Sequence, residues 1–340
     1  MARLVLKHMN GRQLGLTVAA TALLTATSTL AAPAASAASG DQARPTVRNG
    51  RIAYDVNTNA NGGGFDIFTV RPDGTGKKRL TWNRHSYDPA FAPGGNRIAY
   101  TRWNGTDSDI WVMGAGGLNK QVLITGPGDQ FEPAWSPDAT QIAYTEGEFG
   151  QLFVYTLATG TSTQLTFATD ELGPFAGEPT WSPDGGRIAF HSYTIQQREL
   201  GTFANPGTID VINSDGSARR QVTPQSGRVT KEEPDWSPDG KTIAYARMYP
   251  ENERDPVFPI GLATIRPDGT DGHLLPQTGE WSPAWAPNGL RLAAPRIASD
   301  DPAIKQPGLW TMGPRGEQPQ RVLAAFYIPR GIDWQPLRTP

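Results

Sequence analysis

Four carboxylates stand at one recurring place in the chain: Asp88, Glu132, Glu178 and Glu233, separated by 44, 46 and 55 residues. Each lies three residues before an aromatic residue, in the stretches YDPAF, FEPAW, GEPTW and EEPDW. The next two equivalents are Ser282 and Gly331. Like charges brought together repel unless they meet a cation, a basic side chain or backbone N–H groups. Three chemistries are therefore open. Asp88, Glu132, Glu178 and Glu233 could coordinate a hard cation such as Ca²⁺. They could instead tie one repeat to the next through hydrogen bonds, or work as an acid–base pair on a glycosidic bond. Equal residues in equivalent positions do not obviously provide one acid and one base, which disfavours the last. No cofactor is required, and calcium is the one candidate.

Other catalytic signals are weak. Outside the first 37 residues the histidines are His85, His191 and His273, with no HxH or HExxH spacing. There is no cysteine, which removes disulfides, thiolate ligands and a thiol nucleophile together. No Gly-x-Ser-x-Gly pentapeptide occurs.

The elements that must position these residues are legible as repeats. Aligned on the turn prolines Pro93, Pro137, Pro183, Pro238, Pro287 and Pro336, the copies of a WSPDG-like stretch recur at 44 to 55 residues. An apolar RIAY-like strand follows five of these turns and also stands at 51–54, while a third landmark, such as DIFTVRPDGTGKKRLT, keeps the same phase. Periods of this length with several short strands mark β-propeller blades. The fold expected is all-β: a six-bladed propeller of four-stranded antiparallel blades. The chain enters on the second strand of one blade and leaves on an unpaired first strand, GIDWQP, so the last strand should close the first blade and remove open edges. In the turns, Pro, Asp and Gly are backbone hardware: Asp138, Asp184 and Asp239 should cap, and Gly185 and Gly240 should supply positive φ. The tryptophans Trp135, Trp181, Trp236, Trp285 and Trp334, one per blade, should fill the wedges between sheets.

The first 37 residues read as a Sec-type export signal. Arg3, Lys7 and Arg12 precede an Ala/Thr-rich apolar run that ends in ASA. Residues 38–44 read as a linker, 45–337 as the propeller and 338–340 as a tail. Cleavage would remove three positive charges from a chain of net charge −2, giving −2 − 3 = −5. That balance argues against nucleic acid and anionic membranes as partners. A monomer, soluble outside the cytoplasmic membrane and without a lipid anchor or membrane insertion, is expected.

The EPxWSPDGxxIAY unit resembles the repeats of TolB-type propellers over about residues 45–337. The resemblance implies a periplasmic or extracellular binding scaffold with a protein or cell-envelope partner. The α/β domain that precedes the propeller in TolB has no counterpart in ASGDQARPTVRNG. The alternative function is an extracellular hydrolase or lyase acting on saccharide or peptide at the channel mouth.

The turns between first and second and between third and fourth strands are short and share one face; the other face, which carries the links between blades, holds the insertions between second and third strands at 57–65, 191–209, 247–260 and 296–308. Irregular loops on a rigid scaffold are where binding is usually placed. The ligand or partner contacts expected on that face, beside the four carboxylates, are Arg84, His85, Tyr87, Arg228, Lys231, Trp281, Tyr327 and Arg330. Trp82 and Phe131 adjoin them.

Overall fold

The computed structural model describes residues 47–58, 64–198, 201–225, 227–249, 258–276, 279–296, 307–324 and 331–338. The signal and linker expected at 1–44, and the contact residues Tyr327 and Arg330, lie outside them.

Six four-stranded antiparallel sheets are arranged as the blades of a propeller. Blade one contains β1 (Val47–Asn57), β2 (Phe65–Val70) and β3 (Lys78–Arg79). Blade two runs through β4 (Ser86–Phe91), β5 (Arg97–Trp103), β6 (Ser108–Gly114) and β7 (Gln121–Ile124). Blade three follows with β8 (Gln130–Trp135), β9 (Gln141–Glu146), β10 (Gln151–Thr156) and β11 (Thr161–Gln164). In blade four, β12 (Phe175–Trp181) and β13 (Arg187–Tyr193) are separated from β16 (Thr208–Asn213) and β17 (Arg220–Gln221) by a hairpin, β14 (Ile195–Arg198) and β15 (Gly201–Ala204). Blade five holds β18 (Thr230–Trp236), β19 (Ile243–Tyr249), β20 (Phe258–Ile265) and β21 (His273–Leu274). Blade six holds β22 (Ala284–Trp285), β23 (Leu292–Arg296), β24 (Gly308–Met312) and β25 (Gln320–Ala324). The final strand, β26 (Ile332–Arg338), returns to pair antiparallel with β1 and becomes the inner strand of blade one.

The repeated turn folds for local reasons. In PDG the Asp carboxylate accepts the hydroxyl of the serine two residues earlier, at 2.6 Å for Asp138 and Asp184 and 2.7 Å for Asp239. It also accepts the N–H two residues later, from Thr140, Gly186 and Lys241. Gly185 and Gly240 then sit at φ 72°, where a side chain would be strained. Blade three places Ala139 at φ 61° in the same spot. The threonine that ends the third landmark has a job too. Thr81, Thr166 and Thr223 accept the N–H of Ile67, Leu152 and Ile209 at 2.9, 2.8 and 2.8 Å, fastening each inter-blade link to the sheet it leaves.

Each blade alone would expose both faces of its sheet, so stability comes from stacking. The buried core is six clusters, one between each neighbouring pair of blades. The inner-strand aromatic is the wedge: Trp135 packs against Ala99, Ile110 and Val112 of the preceding blade and Ile142 and Tyr144 of its own. Trp181, Trp236, Trp285, Trp334 and Phe91 repeat this around the ring. Trp181 donates its indole N–H to the Ala134 carbonyl at 3.1 Å. The indole N–H of Trp135, Trp236, Trp285 and Trp334 has no partner, so the aromatic surface carries the interaction.

Candidate functional site

The four recurring carboxylates stand inside the inner strands, each at a β-bulge. In β4, β8, β12 and β18 the pairing register slips between Tyr87 and Ala90, Phe131 and Ala134, Gly177 and Thr180, and Glu232 and Asp235. Each bulge holds an acidic residue in the left-handed region: Asp88 at φ 50°, Glu132 at 57°, Glu178 at 55° and Glu233 at 52°. Ser282 has the same conformation at φ 45°. Such a conformation costs a non-glycine residue on the order of 1–3 kcal/mol unless its surroundings repay it. A bulge re-aims the backbone, and here it turns the N–H toward the preceding blade.

The acceptor waiting there is the carboxylate of that blade. Glu132 accepts the N–H of Glu178 at 2.8 Å, Glu178 that of Glu233 at 2.5 Å, and Glu233 that of Ser282 at 2.6 Å. Glu132 also accepts the Thr145 hydroxyl at 3.0 Å. At the other side of the ring Asp55 accepts the N–H of Asp88 at 3.1 Å and of Gly331 at 2.8 Å. Thr101 relays the next link, accepting the Glu132 N–H at 3.1 Å and donating to Asp88 at 3.3 Å. The series is thus strung blade to blade instead of converging on one point. Among the described residues no group of three or more His, Cys, Asp or Glu is placed to hold a metal ion.

Glu178→Ala should cost about 1–3 kcal/mol, because it strands the Glu233 N–H without an acceptor. Glu178→Gln keeps an acceptor oxygen and should cost less. Equilibrium denaturation of the two variants reads the difference; equal losses would show that the hydrogen bond is not what Glu178 supplies.

Sequence reading missed a second tier. The residue just before the wedge aromatic is Ala90, Ala134, Thr180, Asp235, Ala284 or Asp333. Asp333 accepts the N–H of Phe91 at 2.5 Å, joining blade one to blade two. Asp235 accepts the N–H of Trp285 at 2.6 Å and the Thr180 hydroxyl at 3.2 Å, joining blades four, five and six. Asp55 was missed as well; its signal is the lone acid after RIAY in 51–55, where the other blades have Thr101, Thr145, His191, Ala246 and Pro295.

Burial and neighbouring carboxylates act on several of these acids together. Burial pushes the carboxyl of Asp235, and that of Asp333, up to about 7, with Asp333 adding to the effect on Asp235. Burial likewise raises Glu232 to about 7. Glu178 keeps 18% of its side-chain surface open, yet burial and the neighbouring Glu233, Glu132 and Glu232 raise it well above the usual range. The His191 ring has its Nδ1 3.9 Å from the Glu178 carboxylate. Burial holds that imidazole neutral, with its pKa lowered to about 3. A Glu232 oxygen and His191 Nε2 are buried without partners.

The predicted loop contacts divide. Arg84, His85 and Arg228 are exposed on the face that carries the inter-blade links. Tyr87 is turned inward, its hydroxyl 2.7 Å from that of Ser108. Lys231 is no loop residue: it lies buried in β18 opposite Arg247. Trp281 packs on the cluster between blades five and six. The Lys231 stem is apolar enough to be drawn into the sheet, so its strand position overrode its reading as a surface contact, whereas Trp281 stays partly exposed outside the strands. Among the described residues, the large apolar groups exposed on this face include Trp82, 72% open, Phe167, 63%, Tyr249, 52%, and the smaller Leu172, 42%. Part of the insertion at 191–209, read as irregular, is the β14–β15 hairpin, anchored by the Ile195 N–H to the Leu172 carbonyl at 2.9 Å.

The sequence profile of the TolB beta propeller domain matches residues 43–306. Among solved structures, TolB from Acinetobacter baumannii is 19% identical with a TM-score of 0.64, over 84% of this chain and 66% of that one. A nidogen/laminin complex is 11% identical with a TM-score of 0.59, over 84% of this chain and 98% of that one. An oligogalacturonate lyase in complex with manganese is 15% identical, TM-score 0.51, over 76% and 71%. At these identities the likeness is one of fold. No curated protein matches the chain.

Proposed function

The chain belongs to the TolB beta propeller domain family, and from that premise we propose that it is a non-enzymatic scaffold that binds a protein or envelope component outside the cytoplasmic membrane. The observation that carries this reading is the exposed trio Trp82, Phe167 and Tyr249, on the same face as the inter-blade links. Exposed aromatics beside arginines are the composition of protein interfaces, where a few such residues hold most of the affinity. Here Trp82 is stacked by the Arg79 guanidinium at 4.1 Å, which holds the indole in place for a partner. The titratable groups of the channel support binding over catalysis, since Glu132, Glu178 and Glu233 are each engaged by a backbone N–H of the next blade. No helix of the described residues is long and apolar enough to cross a membrane.

A triple variant Trp82→Ala, Phe167→Ala, Tyr249→Ala should keep the melting temperature while weakening partner capture at least about a hundredfold, at roughly 1–2 kcal/mol per lost anchor. Cross-linking to an envelope extract, with the partner then purified for titration, measures it. Undiminished capture by the triple variant would remove the loop face from the function. The same carboxylates being spent as clasps, calcium and chelator should give the same melting curve; a rise with Ca²⁺ would restore the reading of Asp88, Glu132, Glu178 and Glu233 as a cation port.

A further inference from the structure

On the opposite face, where only short turns were expected, a groove of about 600 Å³ opens between blades four and five. Four cations line it: Arg187 at the start of β13, Arg220 at the start of β17, and Lys241 and Arg266 from the turns of blade five. The repeat supplies some of them singly, Arg187 being matched by Arg51, Arg97 and Arg291 and Arg266 by Arg71, but it does not bring four together at each seam. The same four places between blades three and four hold Gln141, Thr163, Gly186 and Asn213, none of them charged. Between blades five and six, Thr242, Leu290 and Gly313 occupy three of these places, again uncharged.

The acids beside these cations are committed elsewhere. Asp239 caps its own turn through the Ser237 hydroxyl and the Lys241 N–H, at 2.7 and 3.1 Å. Asp268 does the same with Thr270, at 2.9 and 2.6 Å. Asp271 is shared between Arg266 at 3.1 Å and His273 at 2.9 Å. The Lys241 ammonium comes no nearer than 3.9 Å to Asp239 and its side chain is 81% exposed. Arg187 is 4.0 Å from Asp184, beyond hydrogen-bond reach, and lies over the Trp236 ring at 5.0 Å. Two cations thus face the groove with no hydrogen-bonded counter-ion.

From this geometry we infer that the groove is a binding site for a phosphate monoester carried on a polyhydroxylated body, that is, a phosphorylated saccharide. Arginine forks and a lysine point charge suit phosphate oxygens. The turn bonds of Asp239 and Asp268 use one carboxylate oxygen each, which leaves the second as an acceptor for a sugar hydroxyl; with Asp271 the lining has four positive and three negative groups, a balance that repels a long polyanion. The site is on the face opposite the partner-binding aromatics, so its failure would leave that reading standing.

Isothermal titration with glucose 6-phosphate, inorganic phosphate, glucose and long-chain polyphosphate tests it, at about 50 mM salt to limit screening. Glucose 6-phosphate should bind at least about tenfold tighter than inorganic phosphate, and glucose should give no heat. Lys241→Glu, a change at an exposed side chain that leaves the fold intact, should weaken glucose 6-phosphate at least about tenfold, while Lys77→Glu in blade one should not. The inference is overturned if Lys241→Glu binds as wild type, if glucose 6-phosphate gives no heat, or if polyphosphate binds tightest, which would mean unspecific charge attraction.

Discussion

Deleting residues 331–340 should leave a chain that cannot close: broad elution on size exclusion, loss of near-UV ellipticity and no cooperative melt. β26 is the inner strand of blade one, paired with β1 from Val47↔Arg338 to Tyr54↔Ile332. Without it β1 becomes an open edge of 11 residues, a template for association. Trp334, 3% exposed, fills the wedge among Ile52, Tyr54 and Val56 of blade one and Ala286, Ala293 and Leu309 of blade six. Gln335 accepts the Arg51 N–H at 2.9 Å and donates to the Gly95 carbonyl at 2.6 Å, and Asp333 holds Phe91 in blade two. One short strand therefore joins three blades. Trp334→Ala, which keeps the strand and loses only the wedge, should cost about 3–5 kcal/mol. A truncated chain that melts like the full-length one would show that the ring does not depend on this closure.

That closure was legible because the repeat makes it a matter of counting: six turn prolines and an orphan GIDWQP leave the last strand one place to go. The turns were legible for a different reason. Ser-Pro-Asp-Gly satisfies its own hydrogen bonds within a few residues, so its structure depends little on the rest of the chain. Hairpin β14–β15 was not, because QQRELGTF lacks a two-residue turn signal and the alternation that marks a half-buried strand.

In the candidate site the sequence showed which residues recur and offered the tie between repeats as one of three uses, but not the backbone geometry that makes it. Glu132, Glu178 and Glu233 were seen as a set, yet a bulge cannot be read from residue types, and it is the bulge that turns each N–H to the neighbouring carboxylate. Asp235 and Asp333 escaped notice because their place in the repeat holds Ala in blades two, three and six, so no pattern flagged them. Lys231 was misplaced for a related reason: it lies within three residues of a bulge, where the alternation of inward and outward positions slips. The groove between blades four and five was hidden in turns whose residues are ordinary one at a time. It appears only when two blades are side by side.

The charge state of the channel makes stability fall as pH rises from about 4.5 to 7, the reverse of the usual trend for proteins whose acids are paired. Asp235, Asp333 and Glu232 titrate near 7 when folded, and Glu178 is raised as well. In the unfolded chain such groups titrate at about 4. Between those values the unfolded chain has released these protons and the folded chain still holds them, so each added pH unit favours unfolding. His191 opposes this: neutral in the fold down to about 3, it takes up a proton only when unfolded below about 6.5, so its contribution rises with pH. Four acids outweigh one base. Below about pH 4 the trend inverts, because the turn acids Asp138 and Asp184, held low by the Ser136 and Ser182 hydroxyls, lose their stabilising charge. Asp235→Asn isolates the effect. The amide oxygen can accept the Trp285 N–H and the amide N–H₂ can donate to Thr180, so both contacts of Asp235 survive without a charge. The variant should match wild type near pH 4.5 and melt several degrees higher at pH 8, a gain of a few kcal/mol at about 2–4 °C each. Thermal melts across that range measure it. An Asp235→Asn protein that is less stable than wild type at pH 8 would mean that the fold requires the ionised carboxylate at this point, and that the channel is held together by charge instead of in spite of it.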